Sequence, residues 1–270
     1  MTTSPYPRLI GDNRGMCFDH DSRPPIPVIA GGALDAEAIE LSAADGNRFA
    51  AYVARAAEPT GAGIVILPDV RGLAPYYEEL ALRFAERGVD AIAIDYFGRT
   101  AGIGDRGADF DYAPHVSQTT YAGLRADIEA AATHLRAIAG TTSLFTTGFC
   151  MGGRTAFLTA GFGLGLAGVI GFYGWPTGAG RHDAPAPADI AATLDAPILS
   201  IFGGADHGIN EEVRAAWEQA LTNAGRDHET IVYEGAPHSF FDRKADEFAD
   251  QSAAAWAATL DFIRARTAPA

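Results

Sequence analysis

Hydrophobic positions fall in two rhythms along the chain. "GIVILP" (63–68) and "VDAIAID" (89–95) are continuous apolar runs, the pattern of strands buried on both faces. Between them, "YYEELALRFAERG" (76–88) places Leu80, Ala81 and Phe84 on one helical face, and Gly88 stops it. The same alternation continues downstream. "TTYAGLRADIEAAATHLRAIAG" (119–140) predicts an amphipathic helix ending at Gly140, and "SLFTTGF" (143–149) predicts a strand running into Cys150. "RTAFLTAG" then starts a helix. Three more strands are predicted in "LAGVIGFYG" (166–174), "APILSIFGG" (196–204) and "ETIVYEGA" (229–236), with helices over 211–224 and 245–266. Upstream, "AIELSAADGNRFAAYVARA" (38–56) alternates on both sides of Asp45-Gly46 and reads as a β-hairpin.

This succession predicts an α/β fold with one doubly wound, mostly parallel sheet flanked by helices. Residues 1–36, rich in Pro, Gly and polar side chains, read as an extended N-terminal arm, and 37–270 as a single domain. The stretch 97–118 is a long polar, Gly-rich connection of the kind that often carries function.

Composition narrows the partners. Hydrophobic residues make up 48% of the 270, enough for a sizeable core. The formal net charge of -14 works against a nucleic-acid partner but leaves room for a small anionic substrate held by local arginines. No apolar run is long enough to span a bilayer, and the N-terminus lacks the apolar segment of a signal peptide. With two cysteines only, Cys17 and Cys150, a reducing cytoplasmic setting is expected, in which a thiol stays available; a monomer or small homo-oligomer is the expected state. No metal or other cofactor is expected, since HExxH, Cys/His-cluster and Walker A patterns are absent. "GLGLAG" (163–168) formally matches G-x-G-x-x-G, yet it leads from a helix into a strand, the reverse of the dinucleotide-binding context.

The stretch "TTGFCMGGR" (146–154) carries the chemistry. A buried strand, Gly-Phe-Cys-Met-Gly and a helix form the nucleophile-elbow pattern with Cys in place of Ser. The turn is tight enough that residues two before and two after the nucleophile, Gly148 and Gly152, must be small. It also places the thiol at a helix N-terminus, where free amides and the helix dipole favour thiolate and oxyanion. A cysteine is also a common small buried filler; the glycine spacing and the strand–turn–helix order favour the reactive reading.

An elbow requires an acid and then a histidine at the ends of later strands. Of the seven histidines, His238 in "YEGAPHSFF" stands after the last strand and before the final helix. His20, His115, His134, His182, His207 and His228 do not hold that place. Asp206 in "ILSIFGGADHGI" follows the preceding strand, while Asp183, Asp189 and Asp195 are less well placed. The carboxylate would hold the imidazole tautomer and stabilise imidazolium. The two oxyanion-hole donors are expected from the backbone N–H of Met151 and, in "LPDVRG", of Val70.

On "GFCMGG", "GFYG", "GGAD" and "GAPHSFF", in that order over about residues 36–266, the chain resembles the dienelactone hydrolases (carboxymethylenebutenolidases), a cysteine branch of the α/β-hydrolase fold. The resemblance implies that Asp69, one methylene shorter than the family's glutamate, interacts with the thiol and helps activate it. It also implies a substrate-binding arginine at Arg99. Ser239, next to His238 in "GAPHSFF", is a further substrate-binding candidate. The second family arginine falls on Asp242, with Arg243 one residue later and Arg71 as a substitute.

Thiolate attack would give a thioester that water hydrolyses with His238 as base. Because thiolate leaves more readily than amine or simple alkoxide, such an enzyme favours activated esters and enol lactones, carboxylate-bearing ones included, over peptides. The competing readings are a broader carboxylesterase or thioesterase, and a ligand-binding protein that keeps the fold without turnover.

Overall fold

Seven of the eight strands run in one direction, β2 alone being reversed, and the C-terminal ends of the parallel strands share one edge of the sheet. The computed structural model describes residues 22–138, 140–180, 183–242 and 244–268. The strands are β1 (Ala33–Ser42), β2 (Arg48–Ala56), β3 (Ala62–Leu67), β4 (Val89–Ile94), β5 (Ser143–Phe149), β6 (Gly168–Phe172), β7 (Ile198–Gly203) and β8 (His228–Tyr233). Their spatial order is β1-β2-β4-β3-β5-β6-β7-β8, with β1 and β2 antiparallel and β3 to β8 parallel. This is the α/β-hydrolase fold.

The central strands β3 to β7 are buried along their whole length, which is why the sequence writes them as mostly apolar runs, with Asp90, Ser143, Thr146, Thr147 and Ser200 the buried polar exceptions. The outermost β1 instead alternates, leaving one residue face to solvent. Its start at Ala33 lies inside the stretch expected to be an extended arm; residues 1–21 of that arm lie outside the described residues.

Helices α1 (Pro75–Ala85), α4 (Tyr121–Ala137), α5 (Met151–Thr159), α6 (Glu211–Asn223) and α7 (Ala249–Arg266) cover the sheet. Thr120 begins α4 by accepting the Gly123 amide at 3.1 Å, satisfying one of the donors a helix start leaves free. The long 97–118 connection is partly helical, as α2 (Gly98–Ala101) and α3 (Tyr112–Val116), and a 3₁₀ segment spans Pro187–Thr193. Periodicity could not reveal such short pieces, because one turn buries too few residues to repeat a pattern. Among the described residues, no helix is long and apolar enough to cross a membrane.

Candidate active site

Cys150 sits where β5 meets α5, with φ +55° and ψ −110°. Its N–H donates to the Phe172 carbonyl (3.0 Å) and its carbonyl accepts the first helical bond from Arg154 N–H (3.1 Å). Few L residues adopt positive φ, and the surrounding glycines are what permit it here. A Cβ on Gly148 would stand 2.0 Å from the Gly152 carbonyl oxygen, and one on Gly152 would stand 2.0 Å from the Leu67 oxygen. The elbow therefore packs backbone to backbone against the end of β3. Helix geometry leaves the Met151 amide without an intrahelical acceptor, free to face incoming charge.

The segment leaving β3 carries Asp69 and Val70, both buried. The Asp69 amide donates to the Tyr77 hydroxyl (2.9 Å), and its Oδ1 accepts the Arg71 amide (2.9 Å), so the segment turns back on itself beside the elbow. Burial first, then the charges of Asp69, Asp95 and Cys150, push the Tyr96 hydroxyl well above its usual range. Burial first, then Asp242 and Asp69, do the same to Tyr76.

Asp206 follows β7 and His238 follows β8. Asp206 Oδ2 lies 2.6 Å from His238 Nδ1, while Oδ1 accepts the amides of Gly208 (2.9 Å) and Ile209 (3.1 Å). Burial alone would raise the Asp206 carboxyl. The hydrogen bond and charge of His238, with the two amides, outweigh it and hold the group below its ordinary value. The other acids considered are engaged elsewhere: Asp195 with Arg226 (3.0 Å) and Asp183 with the Tyr121 amide (2.9 Å). Next to His238, Ser239 has φ +60°, and its buried hydroxyl has no hydrogen-bond partner among the described residues.

Arg99, expected to bind substrate, is held by groups of the protein itself. Its guanidinium is taken up by Asp45 (2.5 Å), Asp127 (2.8 Å) and the Gly123 carbonyl (3.2 Å), so these donors tie the β1–β2 turn to α4. The physical reason is Asp127, a buried carboxylate that needs a cation. Arg71 is half-buried beside Asp69, and Arg243 lies outside the described residues.

Two residues of this region were not legible beforehand. Tyr173, just past β6, packs its ring against His238 (centroids 5.0 Å) and donates its hydroxyl to Asp242 Oδ2 (3.0 Å). In the sequence it stands in the motif "GFYG" at the end of a predicted strand, which does not reveal these contacts. Beneath them Phe149, Phe172 and Phe241 stack into one aromatic wall, with centroids 4.7 to 6.0 Å apart.

Residues 49–267 match the model of the dienelactone hydrolase family. A carboxymethylenebutenolidase from Rhodococcus opacus is 30% identical over 255 residues, covering 92% of this chain and 96% of its own. Among solved structures, a Klebsiella pneumoniae chain assigned as a dienelactone hydrolase superposes with a TM-score of 0.73 at 29% identity, covering 85% of this chain and 99% of that one. A dienelactone hydrolase-like promiscuous phosphotriesterase from metagenomic libraries shares the fold, with a TM-score of 0.68 at 22% identity over 86% of this chain and 99% of its own.

Proposed function

Because the chain belongs to the dienelactone hydrolase family and is a hydrolase of esters or lactones, we propose that Cys150 is its nucleophile, acting with His238 and Asp206. The observation that carries this reading is the 2.6 Å bond from Asp206 to His238 Nδ1, at the same sheet edge as a strained Cys150 on a helix N-terminus. That bond anchors the imidazole at Nδ1, and in this reading Nε2 is the ring nitrogen that exchanges protons with the reacting groups.

In this reading the Cys150 thiolate attacks the substrate carbonyl carbon. The tetrahedral oxyanion is met by the Met151 and Val70 N–H groups. Its collapse breaks the C–O bond, and the departing alcohol or enol takes a proton from His238. A water molecule then attacks the thioester, gives its proton to His238 and releases the carboxylic acid and the thiol. Asp206, held ionised, stabilises the imidazolium formed in both halves. Asp69 tunes the thiol from the adjacent loop, and the unpartnered Ser239 hydroxyl offers a substrate contact.

A good leaving group matters for this chemistry, because the first adduct otherwise expels thiolate and reverts. Enol lactones and activated esters satisfy that condition. Arg99, paired with Asp45 and Asp127, favours a second reading of substrate range: a broader esterase that does not select a carboxylate on its substrate. The test is turnover of a dienelactone and of p-nitrophenyl acetate by wild type, Cys150→Ala and His238→Ala. Loss of both activities in both variants supports the mechanism, and equal rates in wild type and Cys150→Ala would discard it. The ratio of the two substrates decides between a lactonase and a broad esterase.

A further inference from the structure

We propose that Tyr173 and Asp242 form a positioning pair that fixes the plane of the His238 imidazole, separately from the Asp206 hydrogen bond. The inference rests on the role given to His238 above. The hydrogen bond at Nδ1 fixes one point of the ring. The direction in which Nε2 faces then depends on what touches the ring's surface.

Tyr173 supplies that surface. Its backbone holds φ +38°, a conformation L residues rarely adopt, while its amide stays bonded to the Ile201 carbonyl (2.7 Å). So held, the ring lies against the imidazole at 5.0 Å between centroids and 57° between planes. The same side chain ends in a hydroxyl that donates to the buried Asp242 carboxylate at 3.0 Å. Tyr173 thus touches both ends of the turn 238–242, whose second residue, Ser239, is itself left-handed.

Two further hydrogen bonds hold the backbone of this turn. Tyr76 donates its hydroxyl to the Phe241 carbonyl (3.0 Å), and Ser252 donates to the Phe240 carbonyl (3.1 Å). Neither reaches the imidazole. Tyr173 links Asp242 to His238. A phenol donating to a carboxylate also carries a more electron-rich ring, which favours the imidazolium that forms during turnover.

The experiment is steady-state and burst kinetics with p-nitrophenyl acetate, normalised to active sites titrated by the burst. Tyr173→Leu is expected to lower kcat by about tenfold or more, with KM falling alongside, as slow water activation lets a Cys150 thioester accumulate that mass spectrometry detects. Tyr173→Phe, which keeps the ring, should lose less. Asp242→Leu should match Tyr173→Phe, and Asp242→Asn, which keeps an acceptor, should recover toward wild type.

A kcat per titrated site within about twofold of wild type for Tyr173→Leu and Asp242→Leu overturns the pair, as does a loss confined to burst amplitude. If those two variants do not fold, Tyr173→Phe and Asp242→Asn decide: equal wild-type rates overturn the proposal, and a slower Tyr173→Phe supports it. Full activity in His238→Ala would instead remove the mechanism on which the pair depends.

Discussion

Asp206 Oδ2 and His238 Nδ1 stand 2.6 Å apart although 32 residues separate them in the chain. The two are brought together because β7 and β8 are adjacent and parallel, so the loops leaving their C-terminal ends meet.

The depressed Asp206 carboxyl has a consequence for stability. A group whose folded value lies below its unfolded value of about 3.8 stabilises the fold above that pH, and the contribution is lost as pH falls through the folded value. The stability difference between wild type and Asp206→Asn, from urea unfolding, should therefore be full at pH 6 and shrink on acidification below about pH 3.8. A difference that stays constant down to pH 3 would contradict the assigned ionisation.

The elbow has no room for a methyl group. Gly148→Ala or Gly152→Ala would drive a Cβ to 2.0 Å from a backbone oxygen, which cannot yield as a flexible side chain does. Each is expected to cost more than about 3 kcal/mol and to abolish turnover. A melting temperature unchanged from wild type would show that the elbow can open.

Arg99 is expected to report on stability and not on substrate charge. Arg99→Ala leaves Asp127, already raised by burial against the pull of Asn47 and Arg99, without its cation. A loss of about 2–4 kcal/mol in denaturant unfolding should follow, with the ratio of rates on anionic and neutral esters unchanged. A selective loss on the anionic ester would return Arg99 to the binding site.

Asp69 tests the shorter side chain at the thiol-activating place. Asp69→Asn keeps an acceptor for the Arg71 amide, so the loop should hold while the charge is lost. Turnover is expected to fall by about 10- to 100-fold, and the rate of Cys150 alkylation by iodoacetamide to change with it. Unchanged values of both would take Asp69 out of the mechanism.

The order of the elements and the chain order of the proposed site residues were legible in the sequence, because both are written locally. Burial on both faces makes β3 to β7 predominantly apolar, and a turn that admits no Cβ forces glycine at 148 and 152. The family motifs around Cys150, Asp206 and His238 stand in chain order at strand ends, where the parallel sheet collects them. The partners of charged and aromatic side chains were not legible. Arg99 looked available until the β1–β2 turn brought Asp45 and α4 brought Asp127 to it, across 54 and 28 residues. Tyr173 and Asp242, 69 residues apart, meet beside His238 for the same reason. Which loops touch depends on how the whole sheet is ordered, and a guanidinium or a phenol hydroxyl goes to the nearest buried carboxylate that this order leaves within reach.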